Sequence, residues 1–338
     1  MKNKSLLWKL PFLVFLIVGT IIIIRQQHSI PYHKSADFIF GTSYHVTYQC
    51  DSDLSQSIKA ELMKVDYSLS PFNEKSIITA INQNQRVKPD SMFMDVFNLA
   101  MKISGDTDGA FDITVAPLVN AWGFGFKNGQ NPTKFQVDSL KKIIGFQKVS
   151  YDGSYIKKTD ARIMLDCSAI AKGYGSDVVA KLLRSRGVQN FMIEIGGEIV
   201  TSGVNEQRLP WRVGVTKPTE DPLNTSHELQ SILNVTDKAM ATSGNYRNFY
   251  YKDGKRYAHT IDPKTGYPVQ HNILSATVIA NSCAVADAYA TSFMVMGLEK
   301  AKQILARHPE MLAYLIYSDK NGKNAVWYSP SLKDKIEK

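Results

Sequence analysis

The chain contains few cysteines and no dense run of basic residues, and both absences exclude classes of protein. Its 338 residues include three cysteines, Cys50, Cys167 and Cys283, with no Cys-x-x-Cys spacing. Such an odd, scattered set does not fit a disulfide framework or a thiolate metal cluster, so we interpret all three as buried thiols. The body of the chain also has no Lys/Arg run of the kind that binds nucleic acid, no internal repeat and no long linker.

More than half of the net positive charge lies near the N-terminus. The formal net charge is +9, and five basic residues flank the N-terminal apolar segment: Lys2, Lys4, Lys9, Arg25 and Lys34. The remaining body is only mildly basic, which predicts that nucleic acid is not a partner. A hydrophobic content of 44% with 10% aromatic residues supports a proper core, in one large domain or two small ones.

The longest apolar run of the sequence lies near the N-terminus. Residues 10–24 are apolar except for Thr20, and residues 6–8 extend the run across Lys9 to about the length of a membrane span. The lysines before it favour a cytoplasmic N-terminus. A cleaved signal peptide is the alternative, but no small-residue cleavage pattern or lipid-anchor cysteine follows. We therefore predict an uncleaved signal anchor at 1–28, with a single span in the cell inner membrane and the rest of the chain on the periplasmic side.

Hydrophobic periodicity after the anchor predicts an α+β domain at 37–330, between a linker at 29–36 and a polar tail at 331–338. Helices are predicted at 55–69, 91–104, 170–187, from a cap at Asn281 or Ser282 to Met296, and at 298–308. Strands are predicted at 37–50, 191–199, 211–216, 230–235, 249–251, 274–279 and 311–317.

The turn at 258–268 combines an imidazole, a carboxylate and three residues of the kind that shape turns, two prolines and a glycine. His259 and Asp262 lie close together, Pro263 fixes the backbone after them, and Gly266 and Pro268 close the loop. An imidazole with an ordinary pKa of about 6.5 can take a proton from a hydroxyl at physiological pH. His259 is thus a candidate general base that Asp262 could orient. A structural histidine in a tight turn is the alternative.

Asp287 and Thr291 are spaced i and i+4, so they share one face of the last long predicted helix. Their neighbours are small or apolar, and a carboxylate buried among them needs a cation or hydrogen-bond donors. Oxygen ligands suit a hard ion, which favours Mg²⁺ over Zn²⁺. Interaction with the helix dipole is the alternative role for Asp287.

The remaining candidates carry weaker signals. Lys172 lies in a segment that has no Walker spacing, and its alternatives are a phosphate contact or a solvated helix start. The Gly196-Gly197 pair allows either close approach of a ligand to the backbone, or a bulge. Phe40 and Phe72 are single aromatics of the type usually found in a core.

Several separated motifs occur in the order found in the ApbE family of FAD:protein FMN transferases, over about residues 40–297. They are Gly-Thr at 41–42, Ser-Pro-Phe-Asn at 70–73 with Ser76, Gly-Ala-Phe-Asp-Ile-Thr at 109–114, Ala-Ile-Ala-Lys-Gly at 169–173, Ile-Gly-Gly-Glu at 195–198, Thr-Ser-Gly-Asn-Tyr at 242–246, the turn at 259–268 and Asp-Ala-Tyr-Ala-Thr at 287–291. The chain resembles this family, because many separate motifs in one order rarely match by chance.

The resemblance implies a fold, an activity and partners. The fold is α+β, with two interlocked lobes around a flavin cleft in a T-fold-like arrangement, here preceded by the membrane anchor. The activity is Mg²⁺-dependent transfer of FMN from FAD to a Thr or Ser hydroxyl of a partner protein, with release of AMP. The acceptor is a flavoprotein subunit of an extracytoplasmic redox chain. An FAD pyrophosphatase and a non-enzymatic flavin-binding protein are the alternatives.

Site residues follow from the same resemblance. Asp287, Thr291 and the backbone carbonyl of Ala171 are the expected metal ligands. The expected FAD contacts are Phe40 and Phe72 on the isoalloxazine ring, Ala110, Phe111 and Asp112 on the adenosine side, and Ser168, Lys172 and His259. The chain departs from common family residues at Ile77, Glu198, Asn245 and 167–168, and none of these departures removes an expected ligand.

Overall fold

The computed structural model describes residues 4–26, 30–125, 132–218, 228–245, 249–252 and 255–337. Its helices are α1 (Lys4–Gln26), α2 (Ser55–Leu69), α3 (Ile77–Asn82), α4 (Ser91–Asp106), α5 (Ala116–Ala121), α6 (Lys134–Lys141), α7 (Ala171–Ser185), α8 (Cys283–Met296) and α9 (Leu298–Arg307). Its strands are β1 (Tyr32–Ile39), β2 (Thr42–Gln49), β3 (Val149–Tyr151), β4 (Ile156–Lys158), β5 (Phe191–Ile195), β6 (Glu198–Ser202), β7 (Arg212–Thr216), β8 (Leu229–Asn234), β9 (Ala239–Gly244), β10 (Phe249–Lys252), β11 (Lys255–Ala258), β12 (Ile273–Ala280), β13 (Leu312–Ser318), β14 (Asn324–Tyr328) and β15 (Ile336–Glu337). The predicted α+β class is confirmed.

The predicted anchor coincides with α1, apart from residues 1–3 and 27–28, which lie outside the described ranges. Pro11 lies inside this helix. Among the residues that the structure describes, no helix is both long enough and apolar enough to cross a membrane. The prediction of a spanning anchor is therefore not supported.

An eight-stranded antiparallel sheet organises the fold, in the order β1-β2-β5-β6-β9-β12-β13-β14. Two of its hairpins have two-residue turns, Phe40-Gly41 between β1 and β2 and Gly196-Gly197 between β5 and β6. All four turn residues have positive φ, between 53° and 101°. That conformation matches the twist of a tight hairpin, and it shows that the glycine pair forms a turn and not a bulge.

Helices and a smaller sheet cover the large sheet. Buried residues of α2 and α7, such as Leu62 and Leu183, pack with Val46 and Ile193 of β2 and β5. A three-stranded sheet, β15-β8-β7, packs through its own core against residues of β6, β9, β12 and β13. Helix α8 is buried along nearly its whole length, which explains its almost continuous apolar sequence.

The folded unit extends beyond the predicted domain at both ends. Residues 32–36 of the predicted linker lie in β1, where they pair with β2. In the predicted tail, Leu332 is fully buried and β15 pairs with β8. Both segments are polar in sequence because they lie at sheet edges, where only one side chain in several is buried.

Candidate active site

A cavity of about 950 Å³ opens between the large sheet, α7, α8 and the segment that follows α4. Its volume suits a large ligand. It is lined by every site residue predicted from the sequence: Phe40, Phe72, Ala110, Phe111, Asp112, Ser168, Ala171, Lys172, His259, Asp287 and Thr291. Residues more than 200 positions apart in the chain thus contribute to one surface. A separate, more open depression of about 700 Å³ lies near residues 30–34 and contains none of these side chains.

Helices α7 and α8 form the floor of the cavity. The ammonium Nζ of Lys172 lies 3.6 Å from Glu198 Oε1 and 3.8 Å from Asp287 Oδ2. Asp287 Oδ2 also accepts a 3.1 Å hydrogen bond from the backbone amide of Gly173. The side chains of Glu198 and Asp287 are 4% and 3% exposed, whereas that of Lys172 is 27% exposed. The lysine thus reaches the cavity, and the two acids lie beneath it.

Burial governs the electrostatics of the floor. It raises the pKa values of both Glu198 and Asp287, although the nearby Lys172 ammonium opposes the effect. Burial alone would lower the pKa of Lys172, but attraction to the two carboxylates outweighs it and that pKa is raised. With both acids ionised, the floor carries two negative charges and one positive charge. One further cation would offset the remaining negative charge.

The donor set of the floor fits a hard cation. Glu198 Oε2 is buried and has no hydrogen-bond partner among the described residues. Thr291 Oγ1 lies one helical turn from Asp287 and is 3.0 Å from Ser243 Oγ on β9. Ala171 begins α7 beside them. Carboxylate, hydroxyl and carbonyl oxygens are the ligands that Mg²⁺ prefers. Within the described ranges no group of three His, Cys, Asp or Glu residues forms a metal site, so any such ion needs oxygens from outside the acids.

Apolar residues form another part of the wall. Ala110 and Phe111 are buried, whereas the Phe72 side chain is 68% exposed at the cavity. Phe40 occupies the left-handed region with φ +53°, which is strained for a residue other than glycine. Its ring lies against Gly175 of α7, where an added Cβ would come within 2.9 Å of Phe40 Cε2. A strained aromatic at a cavity is a feature typical of binding sites.

His259 lies at the cavity directly after β11. Its ring makes an edge contact with Phe124, with 6.5 Å between ring centroids. The following turn is closed by a bridge between Ile261 and Pro268, and Trp122 Nε1 donates a 2.9 Å hydrogen bond to the carbonyl of Gly266. The turn is thus held by Trp122 and Phe124, which directly follow α5.

Asp262 makes contacts within its own turn, and its expected role in orienting His259 stays a prediction. Its Oδ1 accepts a 2.9 Å hydrogen bond from the backbone amide of Lys264, and its carbonyl accepts from Gly266. Proximity in sequence suggested that it orients His259. A carboxylate two residues before an amide also closes its own turn readily, because that contact costs little chain entropy.

Asp112 and Ser168 also make local contacts. Asp112 accepts hydrogen bonds from the amide and hydroxyl of Thr114 at 2.8 and 2.7 Å, and from the amide of Phe146 at 2.9 Å. Burial raises the pKa of Asp112, against these hydrogen bonds. Ser168 donates through Oγ to Asp166 at 2.5 Å. These hydrogen bonds hold Asp112 in the turn before α5 and join it to Phe146, and its contact with adenosine stays a prediction.

Sequence reasoning gave Glu198 no role at the site. A signal was present, because this acid directly follows Gly196-Gly197 in a strand whose other residues are mostly buried and apolar. A charged residue in such a context requires a charged partner.

The fold and the cavity define a class of protein: an antiparallel α+β binding protein whose site joins apolar walls to a buried acid pair, a lysine and a histidine. The family model described as the ApbE family matches residues 40–316 of this chain. The chain belongs to the ApbE family.

Named relatives agree. An FAD:protein FMN transferase of Escherichia coli strain K12 is 35% identical over 291 residues, covering 83% of this chain and 81% of the relative. One of Vibrio cholerae serotype O1 is 36% identical over 290 residues, covering 82% and 86%. The solved structure of the flavin transferase ApbE from Vibrio cholerae superposes with a TM-score of 0.81 and 33% identity, covering 90% of this chain and all of that one.

Proposed function

We propose that this protein is an FAD:protein FMN transferase, which moves FMN from FAD to a Thr or Ser hydroxyl of a separate acceptor protein. The observation that carries the proposal is the convergence of the predicted residues in one cavity. Apolar walls suit a planar isoalloxazine ring, and the charged floor suits a pyrophosphate. The names of the relatives support the same activity. The two-lobed, T-fold-like arrangement around a flavin cleft is part of this proposal.

The chemistry is a displacement at phosphorus. The acceptor hydroxyl oxygen attacks the phosphorus on the FMN side of the pyrophosphate, and a new P–O bond forms. The bond from that phosphorus to the bridging oxygen breaks, and AMP leaves with the oxygen. His259 takes the hydroxyl proton, and Lys172 pairs with the developing negative charge. Phe40 and Phe72 hold the ring, with Ala110, Phe111, Asp112 and Ser168 along the rest of FAD.

We propose Mg²⁺ as the metal ion of this reaction. Asp287, Thr291 and the carbonyl of Ala171 would hold it, and the unpartnered oxygen of Glu198 lies in the same floor. When bound, the ion neutralises charge on phosphate oxygens. The burial of two carboxyl groups and the unpartnered oxygen of Glu198 support this assignment, because a bound cation would offset the cost of burying ionised acids.

The first test separates transfer from its alternatives. Purified protein incubated with FAD, Mg²⁺ and a periplasmic extract should release AMP and produce a fluorescent, covalently flavinylated band on a denaturing gel. Release of free FMN and AMP in equal amounts, independent of the extract, would indicate a pyrophosphatase. Tight FAD binding without AMP release, unaffected by removal of Mg²⁺, would indicate a flavin carrier.

The proposed acceptor is a flavoprotein subunit of an extracytoplasmic redox chain, so the catalytic domain belongs on the periplasmic side of the cell inner membrane. The exposed apolar side chains at 10–23 support attachment through α1.

Location has its own test. The full-length protein should sediment with membranes and stay there in high salt, and its mature N-terminus should precede residue 24. A mature N-terminus beyond residue 24, or release by salt alone, would contradict attachment by α1. A variant that begins at residue 30 is the matched control, because it keeps the domain and removes the helix.

A further inference from the structure

Asp177, in the second turn of α7, receives three hydrogen bonds from the beginning of α8. Its Oδ1 accepts from the amide of Cys283 at 2.8 Å. Its Oδ2 accepts from the amide of Ala284 at 2.9 Å and from the hydroxyl of Ser282, the N-cap residue, at 2.7 Å. One carboxylate of a neighbouring helix thus satisfies two amides that the first turn of α8 leaves without helical partners. Its charge also lies at the positive end of the helix dipole.

The contact between the two helices is reciprocal. Asp287 of α8 accepts from the amide of Gly173 in the first turn of α7, as Asp177 of α7 accepts from the first turn of α8. The backbones touch where they cross, because a Cβ added to Gly173 would lie 2.4 Å from the carbonyl oxygen of Cys283. Polar contacts and close packing together fix the position of α8 on α7.

That position sets the geometry of the cavity floor. Ala171 and Lys172 begin α7, whereas Asp287 and Thr291 lie one and two turns after the α8 amides that Asp177 binds. The 3.8 Å separation of Lys172 Nζ and Asp287 Oδ2 therefore depends on how α8 is placed. Displacements of about 1 Å are enough to impair a catalytic site.

We infer that Asp177 is a positioning residue, which holds α8 at its working distance from Lys172 and so sets the affinity of the floor for a divalent cation. Asp177 touches none of the expected metal ligands and acts through the α8 backbone. The inference rests on the proposed function in one respect, the use of Mg²⁺ at the floor.

The test compares Asp177→Asn with wild type. An asparagine keeps the shape of the side chain but replaces one carboxylate oxygen with an NH₂ group. That group faces N–H or O–H donors and cannot accept their hydrogen bonds. We expect the half-saturating Mg²⁺ concentration to rise about 10- to 100-fold, the usual effect of losing a residue that supports metal ligands. Two readouts should agree: the Mg²⁺-induced rise in Tm, and the Mg²⁺ dependence of AMP release from FAD. At saturating Mg²⁺, kcat should approach the wild-type value.

A second variant covers the case in which Asp177→Asn does not fold. Ser282→Ala removes one of the three hydrogen bonds and should shift the half-saturating Mg²⁺ concentration in the same direction by a smaller factor. Matched controls are Asp138→Asn, an exposed acid on α6, and Ser185→Ala, whose hydroxyl caps the far end of α7. Both controls should keep the wild-type Mg²⁺ response.

Two results would overturn the inference, and they differ. A lower Tm with an unchanged half-saturating Mg²⁺ concentration in both variants would make Asp177 an ordinary helix cap, and the proposed function would stand. If neither the Tm nor the AMP release of the wild-type protein responds to Mg²⁺, the floor does not bind this metal. The inference is then wrong. FMN transfer by that wild-type protein would show whether the activity itself survives.

Discussion

Asp287→Asn should abolish Mg²⁺-dependent FMN transfer, with a loss of at least about 10²-fold, the scale seen when a group that stabilises transition-state charge is removed. The substitution keeps the side-chain volume and removes its charge, so the buried core around α8 stays filled. Asp287 is 2% exposed and lies 3.8 Å from Lys172. Without its carboxylate, the floor loses a charged oxygen ligand, and its attraction for a cation falls.

The Mg²⁺ response of the folded protein separates this effect from unfolding. The Tm of Asp287→Asn in the absence of Mg²⁺ should equal or exceed that of wild type, because the variant no longer buries two like charges. Added Mg²⁺ should then produce no further rise. Glu299→Gln makes the same charge change at an exposed position on α9 and should leave transfer intact. Wild-type Mg²⁺ dependence in Asp287→Asn would exclude this acid as a metal ligand.

The elements that could be predicted were those whose local signals agree with their final environment. Helix α2 was predicted at its observed bounds because Ile58, Leu62, Val65 and Leu69 recur at helical spacing, and all four are buried. Helix α8 was predicted because Ser282 caps its beginning and Gly297 ends it.

Elements without such signals were missed. Strand β9 has the sequence Ala-Met-Ala-Thr-Ser-Gly, in which small residues give no alternation, and it lies between two strands near the middle of the large sheet. Strand β1 begins in a stretch that is polar because an edge strand exposes much of its surface. The left-handed turn at Phe40 could not be predicted, since nothing local favours an aromatic residue there and tertiary packing must stabilise it.

The site residues also divide into those that have a local sequence signal and those that depend on long-range contacts. Asp287 could be identified from sequence because an acid among small apolar residues must be compensated. The distances that make Glu198 its partner come from the Gly196-Gly197 turn and the α7–α8 crossing, which are long-range features. Asp177 was missed for the same reason, because an acid in the second turn of a helix is usually solvated and its contacts here lie 105 to 107 residues away.

His259→Asn should lower FMN transfer by about 10² to 10⁴, the usual contribution of a general base, with a much smaller change in FAD affinity. The imidazole lies on the cavity wall, on a turn held by Trp122 and the Ile261–Pro268 bridge. Asparagine preserves polarity and approximate size but cannot accept a proton in this pH range. Loss of rate without loss of binding therefore isolates proton transfer.

The pH profile gives an independent readout of the same group. Wild-type transfer should fall on acidification, because a protonated imidazole cannot act as a base. The sign follows from the reaction: the base form is the active one, so activity is present above the imidazole titration and is lost below it. His259→Asn should keep a low rate and lose this limb of the profile, whereas a residue that only shapes the turn would lower the rate and leave the limb in place.

Asp262 provides the matched control, because it shares the turn and its carboxylate already bonds to the amide of Lys264. Asp262→Asn should loosen the turn, lower the Tm modestly and reduce transfer far less than His259→Asn. If instead Asp262→Asn removes the acidic limb and His259→Asn transfers FMN at near the wild-type rate, the base is the carboxylate and His259 is a structural residue of the turn. FAD binding, measured by quenching of flavin fluorescence, should be retained by both variants, so that either outcome reports on the chemical step.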